Sequence, residues 1–327
     1  MLKYAVVGTS WITEEFILGA NLVEGMALAA VYSRSAEKGE NFAKRVGAPK
    51  VYTDLFALAC SDIDAVYIAS PNNLHFEQSK LFLKNNKNVI CEKPITVTPA
   101  ELEELQALAK NRGLVYMEAI MFMHSPAKKI LQETLKKIGK ISSAHFDFSQ
   151  LSSRYALLKN GEHPNIFNPK MAGGCLMDLG CYCVYPAIYF FGEPLKISAS
   201  AGFLLSGADG CGSAIFEYSD KQVTLTYSKT AQDRAGSQVM GDEGTVVIES
   251  ISKLTDILLY NNTDNKKDQL VGNTPKYIIM GYEAQAFYNF VTAFKENQTD
   301  YAKASETALM VSRALSKIRE LSAIKLG

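Results

Sequence analysis

A lysine that directly follows an apolar segment is the first candidate for chemistry in this chain. The segment Asn88-Val89-Ile90-Cys91 is typical of a short buried strand, and Glu92-Lys93-Pro94 comes next. Proline cannot donate to a sheet ladder, so we expect the strand to end there. In an open parallel α/β sheet, ligands bind outside the carboxyl ends of the strands, which would put the Lys93 ammonium at the mouth of a cleft. The alternative is a surface lysine that merely follows a strand.

A second candidate lies in the glycine-rich segment between Met171 and Cys183. If a helix begins near Cys175, Asp178 and Tyr182 are four residues apart and share one face. The tandem Gly173-Gly174 would allow close backbone approach at the start of that helix. The two side chains could take part in proton transfer, or they could form only a structural hydrogen bond.

The N-terminus has the layout of a dinucleotide-binding turn. An apolar strand, Leu2 to Val7, is followed by Gly8-Thr9-Ser10-Trp11-Ile12-Thr13 and by a predicted helix from Glu14 to Val23. Backbone N–H groups at such a helix start can hold a pyrophosphate. The match to G-x-G-x-x-G is incomplete, because Ser10 and Thr13 occupy the second and third glycine positions. We expect Trp11 to turn away from the phosphate.

The end of the second predicted strand indicates which dinucleotide is bound. An acidic residue there would accept from a ribose 2′-hydroxyl, whereas an arginine suits a 2′-phosphate. The chain has Ser33-Arg34-Ser35, and Arg34 can form a charge-assisted fork with phosphate. The sequence therefore favours NADP over NAD, although Arg34 could also be an exposed residue at a helix start.

The fourth predicted strand ends in more polar residues. Asn72 could contact a ligand or cap the following helix, and His75 lies in the first turn of that helix, toward the strand-end rim. The candidate cofactor-binding residues are Gly8, Thr9, Ser10, Trp11, Ile12, Ser33, Arg34, Ser70, Pro71, Asn72, His75, Glu92 and Lys93.

The elements that position these residues form two predicted domains. Through residue 120, strands and helices alternate, which predicts a doubly wound parallel sheet with helices on both faces. Residues 121–327 contain consecutive strands such as Gln222 to Thr230, which predicts an α+β domain with a large, mainly antiparallel sheet. We expect the C-terminal helices to pack on the first domain. The sheet suggests a homodimer, with intramolecular helix cover as the alternative.

Composition excludes several classes of protein. Hydrophobic residues make up 47% and charged residues 21% of the 327 residues, and Lys plus Arg equals Asp plus Glu at 34 each. This charge balance provides no large basic field for nucleic acid or anionic lipid. The N-terminus lacks signal-peptide features, and the six cysteines and four histidines do not follow zinc-site spacing. We therefore expect a cytoplasmic protein with free thiols, without a metal and without a membrane partner.

The whole chain resembles the glucose–fructose oxidoreductase/inositol dehydrogenase (Gfo/Idh/MocA) family, and within it the dimeric dihydrodiol dehydrogenase and xylose dehydrogenase branch. The resemblance depends on the glycine turn and on several short motifs: Glu92-Lys93-Pro94, Met117-Glu118-Ala119, Ala172-Gly173-Gly174, Asp178-Leu179-Gly180-Cys181-Tyr182, Gly241-Asp242-Glu243-Gly244-Thr245 and Gly281-Tyr282-Glu283. It implies an NAD(P)-binding Rossmann domain and a sheet domain that supplies the substrate pocket and often the dimer face.

By that resemblance Lys93, Asp178 and Tyr182 are the catalytic set. Oxidation of a carbinol needs a base for the hydroxyl proton, and reduction needs the matching acid. Because a free tyrosine has a pKa of about 10, the Lys93 ammonium would have to favour the phenolate. Asp178 would orient the substrate hydroxyl or Lys93, and Glu92 would position the cofactor or the loop. Tyr182 stands where many relatives have histidine, which points to the dihydrodiol and pentose dehydrogenase branch.

One departure leaves the substrate open. Relatives in this branch commonly carry Trp-x-Arg after the Met-Glu-Ala segment, whereas this chain has Met121-Phe122-Met123. The remaining candidates for substrate contact are Phe122, His124, Arg154, Phe167 and Asn168. A sugar, polyol or diol is favoured. The alternatives are a non-catalytic NADP-binding regulator on the same fold and an enzyme that recycles its nicotinamide, as in NAD-dependent glycoside cleavage.

Overall fold

The chain forms two compact units. A computed structural model describes residues 1–162, 164–264 and 266–326. The first unit consists of Met1–His124 and Pro275–Leu309, and the second of Ser125–Thr274 and the chain from Met310 onward. The following paragraphs describe each unit by itself.

The first unit contains a parallel sheet between helices. Its strands are β1 (Leu2–Val7), β2 (Met26–Tyr32), β3 (Val51–Tyr52), β4 (Ala65–Ile68), β5 (Asn88–Glu92) and β6 (Tyr116–Ala119). Its helices are α1 (Trp11–Ala20), α2 (Ala36–Val46), α3 (Leu55–Ala59), α4 (His75–Lys84), α5 (Pro99–Arg112) and α6 (Met121–His124), and from the C-terminal part α10 (Lys276–Thr292) and the first part of α11 (Phe294–Leu321).

The strand order confirms the predicted doubly wound fold. The order is β3-β2-β1-β4-β5-β6, and every neighbouring pair is parallel. Strands β4 and β5 are buried on both faces, as expected for a sheet covered by helices on either side. The strand order reverses between β1 and β4, and ligands bind in this crevice in such sheets.

Helix boundaries follow local signals in the sequence. The capping box of Thr98 and Glu101 is present, with Pro99 at the first helical position of α5. Helix α1 starts at Trp11, so the predicted start at Glu14 was three residues late. The tight turn at Gly8 ends β1 so sharply that the next residues already form the first helical turn.

Helix α10 packs on α1 through two glycines. A Cβ atom on Gly19 would lie 2.6 Å from the backbone nitrogen of Gly281 and 2.7 Å from the carbonyl oxygen of Tyr277. The two helix backbones therefore touch at this crossing, which a larger residue at position 19 would block. Phe287 and Phe290 on α10 are buried, whereas Phe294, the first residue of α11, is exposed.

The second unit is α+β, as predicted. Its helices are α7 (Pro126–Leu135), α8 (Tyr155–Lys159) and α9 (Cys181–Phe191), with a π-helical segment at Leu176–Gly180 directly before α9. Its strands are β7 (Ile141–Ser149), β8 (Lys196–Phe203), β9 (Asp209–Glu217), β10 (Gln222–Ser228), β11 (Ser237–Gly241), β12 (Gly244–Ser250), β13 (Thr255–Asn261) and β14 (Lys267–Val271).

These strands form one mixed sheet in the order β14-β13-β12-β11-β7-β10-β9-β8. The β7–β10 pair is parallel and the other neighbouring pairs are antiparallel, which confirms the mainly antiparallel sheet. The aromatic side chains of Tyr227, Phe216 and Phe146 are buried on the face that α9 covers. These aromatic residues are therefore covered within the chain and give no support to a sheet-face dimer.

One described segment, Pro169–Phe191, is long and apolar enough to cross a membrane by length and composition alone. Within its most apolar window, 72% of the residues are buried inside the protein. It is the core helix of the second unit, which packs against β7 and β10.

Candidate active site

The glycine turn after β1 fits a closely approaching dinucleotide. Gly8 has φ +116°, and a Cβ atom there would lie 2.6 Å from the carbonyl oxygen of Ala69, which follows β4. Only glycine is compatible with this conformation and this spacing. Ser10, at the N-cap position of α1, makes no side-chain capping hydrogen bond. The first N–H groups of α1 can therefore serve a pyrophosphate.

Trp11, the single tryptophan of the chain, is 64% exposed at the first position of α1. The Nζ atom of Lys276, at the start of α10, lies 4.6 Å from its ring centroid. Sequence patterns gave no indication of this contact, because the two residues are far apart in the chain.

At the end of β2, the serines and the arginine have different surroundings. The Ser33 hydroxyl accepts from the backbone N–H of Ser35 at 3.3 Å, and the Ser35 hydroxyl accepts from the N–H of Lys38 at the start of α2. Arg34 between them is exposed. The serines thus hold the turn, and the guanidinium remains accessible to a ligand.

The buried ring of His75 connects the segments that follow β4 and β5. Its Nδ1 atom lies 2.9 Å from the carbonyl oxygen of Pro94, and Nε2 lies 2.9 Å from that of Ser70, while the ring is fully buried. Burial lowers the pKa of His75. The Ser70 hydroxyl donates to Gln78 at 2.7 Å. The side chain of His75 therefore braces the rim in this structure, which differs from the predicted direct cofactor contact.

The backbone around Lys93 is fixed on both sides. Tyr67 donates its hydroxyl to Glu92 Oε1 at 2.6 Å, and the N–H of Lys93 donates to Glu92 Oε2 at 3.3 Å. On the other side, the N–H of Ile95 donates to Glu118 Oε1 at 3.0 Å. The Lys93–Pro94 peptide bond is cis. The hydrogen bonds to Glu92 and Glu118 hold the backbone on both sides of Lys93, as a functional side chain requires.

Burial raises the pKa of Glu92, and the neighbouring Lys93 opposes that shift. A third carboxyl group, that of Glu283 on α10, is buried near Glu92, Glu118 and Lys276. Neither of its oxygens has a hydrogen-bond partner among the described residues. Burial raises the pKa of Glu283 well above its usual range, which favours the protonated carboxyl group. The sequence does not indicate that the carboxyl group of Glu283 is buried without a hydrogen-bond partner, because the helix pattern shows only a glutamate among apolar residues.

Replacing Glu283 with glutamine should stabilise the protein increasingly as the pH rises. The folded pKa is raised, so the folded state retains a proton that an unfolded glutamate loses above about pH 4.3. Glu283 therefore lowers the free energy of unfolding of the wild type by up to about 1.4 kcal/mol for each unit by which the pH rises. The glutamine variant has no such pH dependence at this position. Urea unfolding between pH 5 and pH 8 measures the difference. Glu296→Gln, at an exposed position near the start of α11, is the control, and a pH-independent difference for Glu283→Gln would contradict the prediction.

In the second unit, Asp178 and Tyr182 face the carboxyl ends of β7 and β10. Asp178 forms an ion pair with Lys229, the residue directly after β10. The Tyr182 ring meets Phe148 of β7 edge to face at 5.3 Å. Strands β7 and β10 are parallel neighbours, with Ser149 beside Ser228, so both contacts lie at one end of the sheet. Asp178 lies in the π-helical segment and Tyr182 in α9, rather than in one regular α-helix as predicted.

The tandem glycines are needed for close packing. Gly174 has φ +144°, and a Cβ atom there would lie 2.0 Å from Oδ1 of Asp209. The other oxygen of Asp209 accepts from the N–H of Leu176 at 2.6 Å, and Asp209 is fully buried. Burial raises the pKa of Asp209, while the hydrogen bond from the N–H of Leu176 and the positive charge of Lys229 lower it. Asp209 therefore anchors the start of the helix that carries Asp178.

The five candidate substrate residues have different environments. In the first unit Phe122 is 1% exposed, which argues against direct substrate contact, and the His124 ring packs edge to face on Phe290. In the second unit Phe167 is also buried, and Lys229 Nζ lies 5.9 Å from its ring centroid. Asn168 uses its side chain to accept from the N–H of Lys170, while Arg154 is exposed. Among these five, Arg154 is the most accessible side chain.

Comparison with known proteins identifies both parts of the chain. Residues 2–120 match the family described as "Oxidoreductase family, NAD-binding Rossmann fold", and residues 126–247 match the "GFO/IDH/MocA C-terminal domain". The scyllo-inositol 2-dehydrogenase (NADP(+)) IolU of Bacillus subtilis is 38% identical over 100% of this chain and 98% of its own. The trans-1,2-dihydrobenzene-1,2-diol dehydrogenase of Xenopus laevis is 29% identical over 81% of each chain.

A solved structure has the same fold. The 3-ketoreductase KijD10 from Actinomadura kijaniata, in complex with NADP and TDP-benzene, superimposes with a TM-score of 0.81 over 98% of each chain, at 22% identity. The two family matches together cover most of the chain. The chain thus belongs to the Gfo/Idh/MocA family and is an NAD(P)-dependent oxidoreductase that acts on CH–OH groups.

Proposed function

We propose that the chain catalyses NADP-dependent hydride transfer between nicotinamide and a carbinol or carbonyl of a sugar, polyol or diol. The observation that carries the proposal is the rim of the first sheet, where the Gly8 turn and the rigid Lys93 segment both follow carboxyl ends of parallel strands. A bound nicotinamide supplies the hydride acceptor or donor at such a rim. The chain itself must bind the substrate and move the hydroxyl proton.

The proton-moving group is Tyr182. In oxidation its phenolate oxygen accepts the proton of the substrate hydroxyl, and in reduction the phenol returns a proton to the new alkoxide. Lys93 favours the phenolate through its positive charge, and Asp178 accepts a hydrogen bond from the substrate hydroxyl. Glu92 and His75 act through the backbone of the Lys93 segment, which they hold in place.

The cofactor residues divide by the part of the dinucleotide they serve. The turn of Gly8, Thr9 and Ser10, with the first N–H groups of α1 at Trp11 and Ile12, holds the pyrophosphate. Arg34 binds the 2′-phosphate, and Ser33 supports the turn that presents it. The segment from Ser70 through Asn72 completes the rim at the end of β4.

Exchanging Arg34 for aspartate should reverse the cofactor preference. The guanidinium would be lost from the 2′-phosphate, and the carboxylate could accept from a 2′-hydroxyl. Charge-assisted hydrogen bonds of about 1.5–3 kcal/mol predict that the NADPH/NADH affinity ratio falls roughly 10- to 100-fold. Dissociation constants for both cofactors measure the ratio. Arg45→Asp, on exposed α2, is the control, and an unchanged ratio in Arg34→Asp would remove the phosphate role.

A panel of carbinols tests the substrate class. The names of the relatives suggest scyllo-inositol, trans-1,2-dihydrobenzene-1,2-diol and D-xylose as first substrates. The expected result is NADPH formation with at least one polyol or diol and slower NADH formation. Tight NADPH binding without turnover of any carbinol or carbonyl would instead favour a regulatory protein.

We also infer a homodimer through the outer face of the second unit's sheet. Ser200, Ser213 and Thr226 form an aligned row of small polar side chains there, and Ile215 on the same face is 39% exposed. A flat face of small side chains fits a second copy of itself about a two-fold axis. Light scattering should give a dimer for the wild type and a monomer for Ile215→Arg. A dimer that persists in Ile215→Arg, with Leu205→Arg as control, would place the interface elsewhere.

The protein is proposed to work in the cytoplasm. All six cysteines are free, and Cys91, Cys175, Cys181 and Cys183 are buried thiols. Free thiols are typical of a reducing compartment, where NADP-linked reactions also occur.

A further inference from the structure

The ion pair between Lys229 and Asp178 is the feature from which we draw a further inference. Lys229 follows β10 directly, and its backbone N–H donates to the carbonyl oxygen of Gly210 at 2.8 Å. Its side chain is only 3% exposed, whereas that of Asp178 is 28% exposed. The ammonium thus lies behind the carboxylate, which faces the accessible side.

The surroundings of Lys229 explain why it needs this partner. Its ammonium lies near the ring of Phe167, and the titratable groups that interact with it are Asp178, Asp209 and Cys175. Burial raises the pKa of Asp209 and of Cys175, and it also raises the pKa of Tyr227. Asp178 is the carboxylate with which the Lys229 ammonium forms its ion pair. A buried ammonium without a partner would be strongly unfavourable.

We propose that Lys229 is a positioning residue that holds Asp178 ionised and fixed, so that Asp178 acts as a hydrogen-bond acceptor for a substrate hydroxyl and not as a proton carrier. The inference rests on the proposed function and adds the division of roles between Asp178 and Tyr182. Lys229 itself is too deeply buried to contact substrate. Its effect on catalysis must pass through Asp178.

A double-mutant cycle with Lys229→Met and Asp178→Asn tests the inference. If Lys229 acts through Asp178, kcat/KM should fall roughly 100-fold in each single variant, and the double variant should be no worse than Asp178→Asn alone. The loss in Lys229→Met should appear mainly in KM for the carbinol, while NADPH affinity is unchanged. Without the ammonium, the pKa of Asp178 should rise, so the acid limb of the pH–rate profile moves to higher pH. Lys229→Arg, which keeps the charge, should recover part of the activity.

Lys221→Met provides the matched control at the other end of β10. Lys221 pairs with Asp220 at 2.5 Å and precedes the amino end of β10, whereas Lys229 follows its carboxyl end, so removal of Lys221 should leave kcat/KM and the pH profile unchanged. Losses that multiply in the double variant, or a Lys229→Met enzyme with an unchanged pH profile, would overturn the inference and leave the proposed function intact. Absence of turnover in the wild-type protein with every carbinol would overturn both.

A stability cycle provides a readout that needs no substrate. Asp178→Ala leaves the buried ammonium unpaired, so its thermal midpoint should lie below that of the Asp178→Ala/Lys229→Met double variant. A double variant that is less stable than Asp178→Ala would show that the two residues are not coupled, and would overturn the inference.

Discussion

Replacing Tyr182 with phenylalanine should lower kcat about 10²- to 10⁴-fold, the range of general acid–base catalysis, which corresponds to about 3–5 kcal/mol of activation free energy. The substitution removes only the phenolic hydroxyl. The edge-to-face contact with Phe148 depends on the ring and should persist, so the fold is expected to remain intact. Because the glycine turn and Arg34 lie in the other unit, NADPH affinity should change by no more than a few-fold.

Stopped-flow measurement of NADPH formation with the best carbinol measures this effect. Tyr189→Phe is the matched control: it lies on the same helix and donates to Gln132 at 3.3 Å. Full activity is expected for that variant. A Tyr182→Phe enzyme that retains most of its activity would remove Tyr182 from the proton-transfer role.

Replacing Lys93 with methionine should lower kcat roughly 100- to 1000-fold and move the pH optimum for oxidation upward. The variant loses the positive charge that favours the phenolate, so more alkaline conditions are needed to reach the same fraction of active enzyme. The backbone of the segment is held by Glu92, Glu118 and His75, and none of these contacts uses the Lys93 side chain. These backbone contacts should therefore persist in the variant.

Lys87→Met is the control for Lys93→Met. Lys87 directly precedes the amino end of β5 and donates to the carbonyl oxygen of Ser61 at 2.7 Å, so it lies at the opposite end of that strand from Lys93. The pH–rate profiles of both variants decide the question. An unshifted profile for Lys93→Met would show that its charge does not act on the proton-transfer group.

Sequence patterns predicted the parts of the fold that depend on local signals. Alternating strands and helices indicated the doubly wound sheet, and Pro94 indicated where β5 ends. Strand β14 (Lys267–Val271) was not predicted, because three of its five residues are charged or amide-bearing and show no apolar alternation. The π-helical segment at Leu176–Gly180 was also missed, since its residues fit an ordinary helix equally well.

The sequence predicted individual residues of the candidate site but not the contacts between them. Lys93 and Arg34 were found because strand ends mark ligand positions in this fold. The partners that fix the site follow from tertiary packing: Lys229 is 51 residues from Asp178, and Glu118 is 23 residues from Ile95. No spacing rule connects such pairs. From the sequence pattern alone, Lys229 would be interpreted as a solvent-exposed residue at the end of a strand.

Transfer of deuterium from the carbinol carbon to NADP⁺ would show direct hydride transfer by this protein. The measurement uses a polyol that carries deuterium at the reacting carbon, with NADP⁺ and the purified enzyme, followed by mass spectrometry of the cofactor product. We expect NADPH that has gained one deuterium, with the label lost from the polyol and a slower rate than with the unlabelled polyol. NADPH without deuterium, or no NADPH from any carbinol despite tight cofactor binding, would rule out direct hydride transfer by this protein.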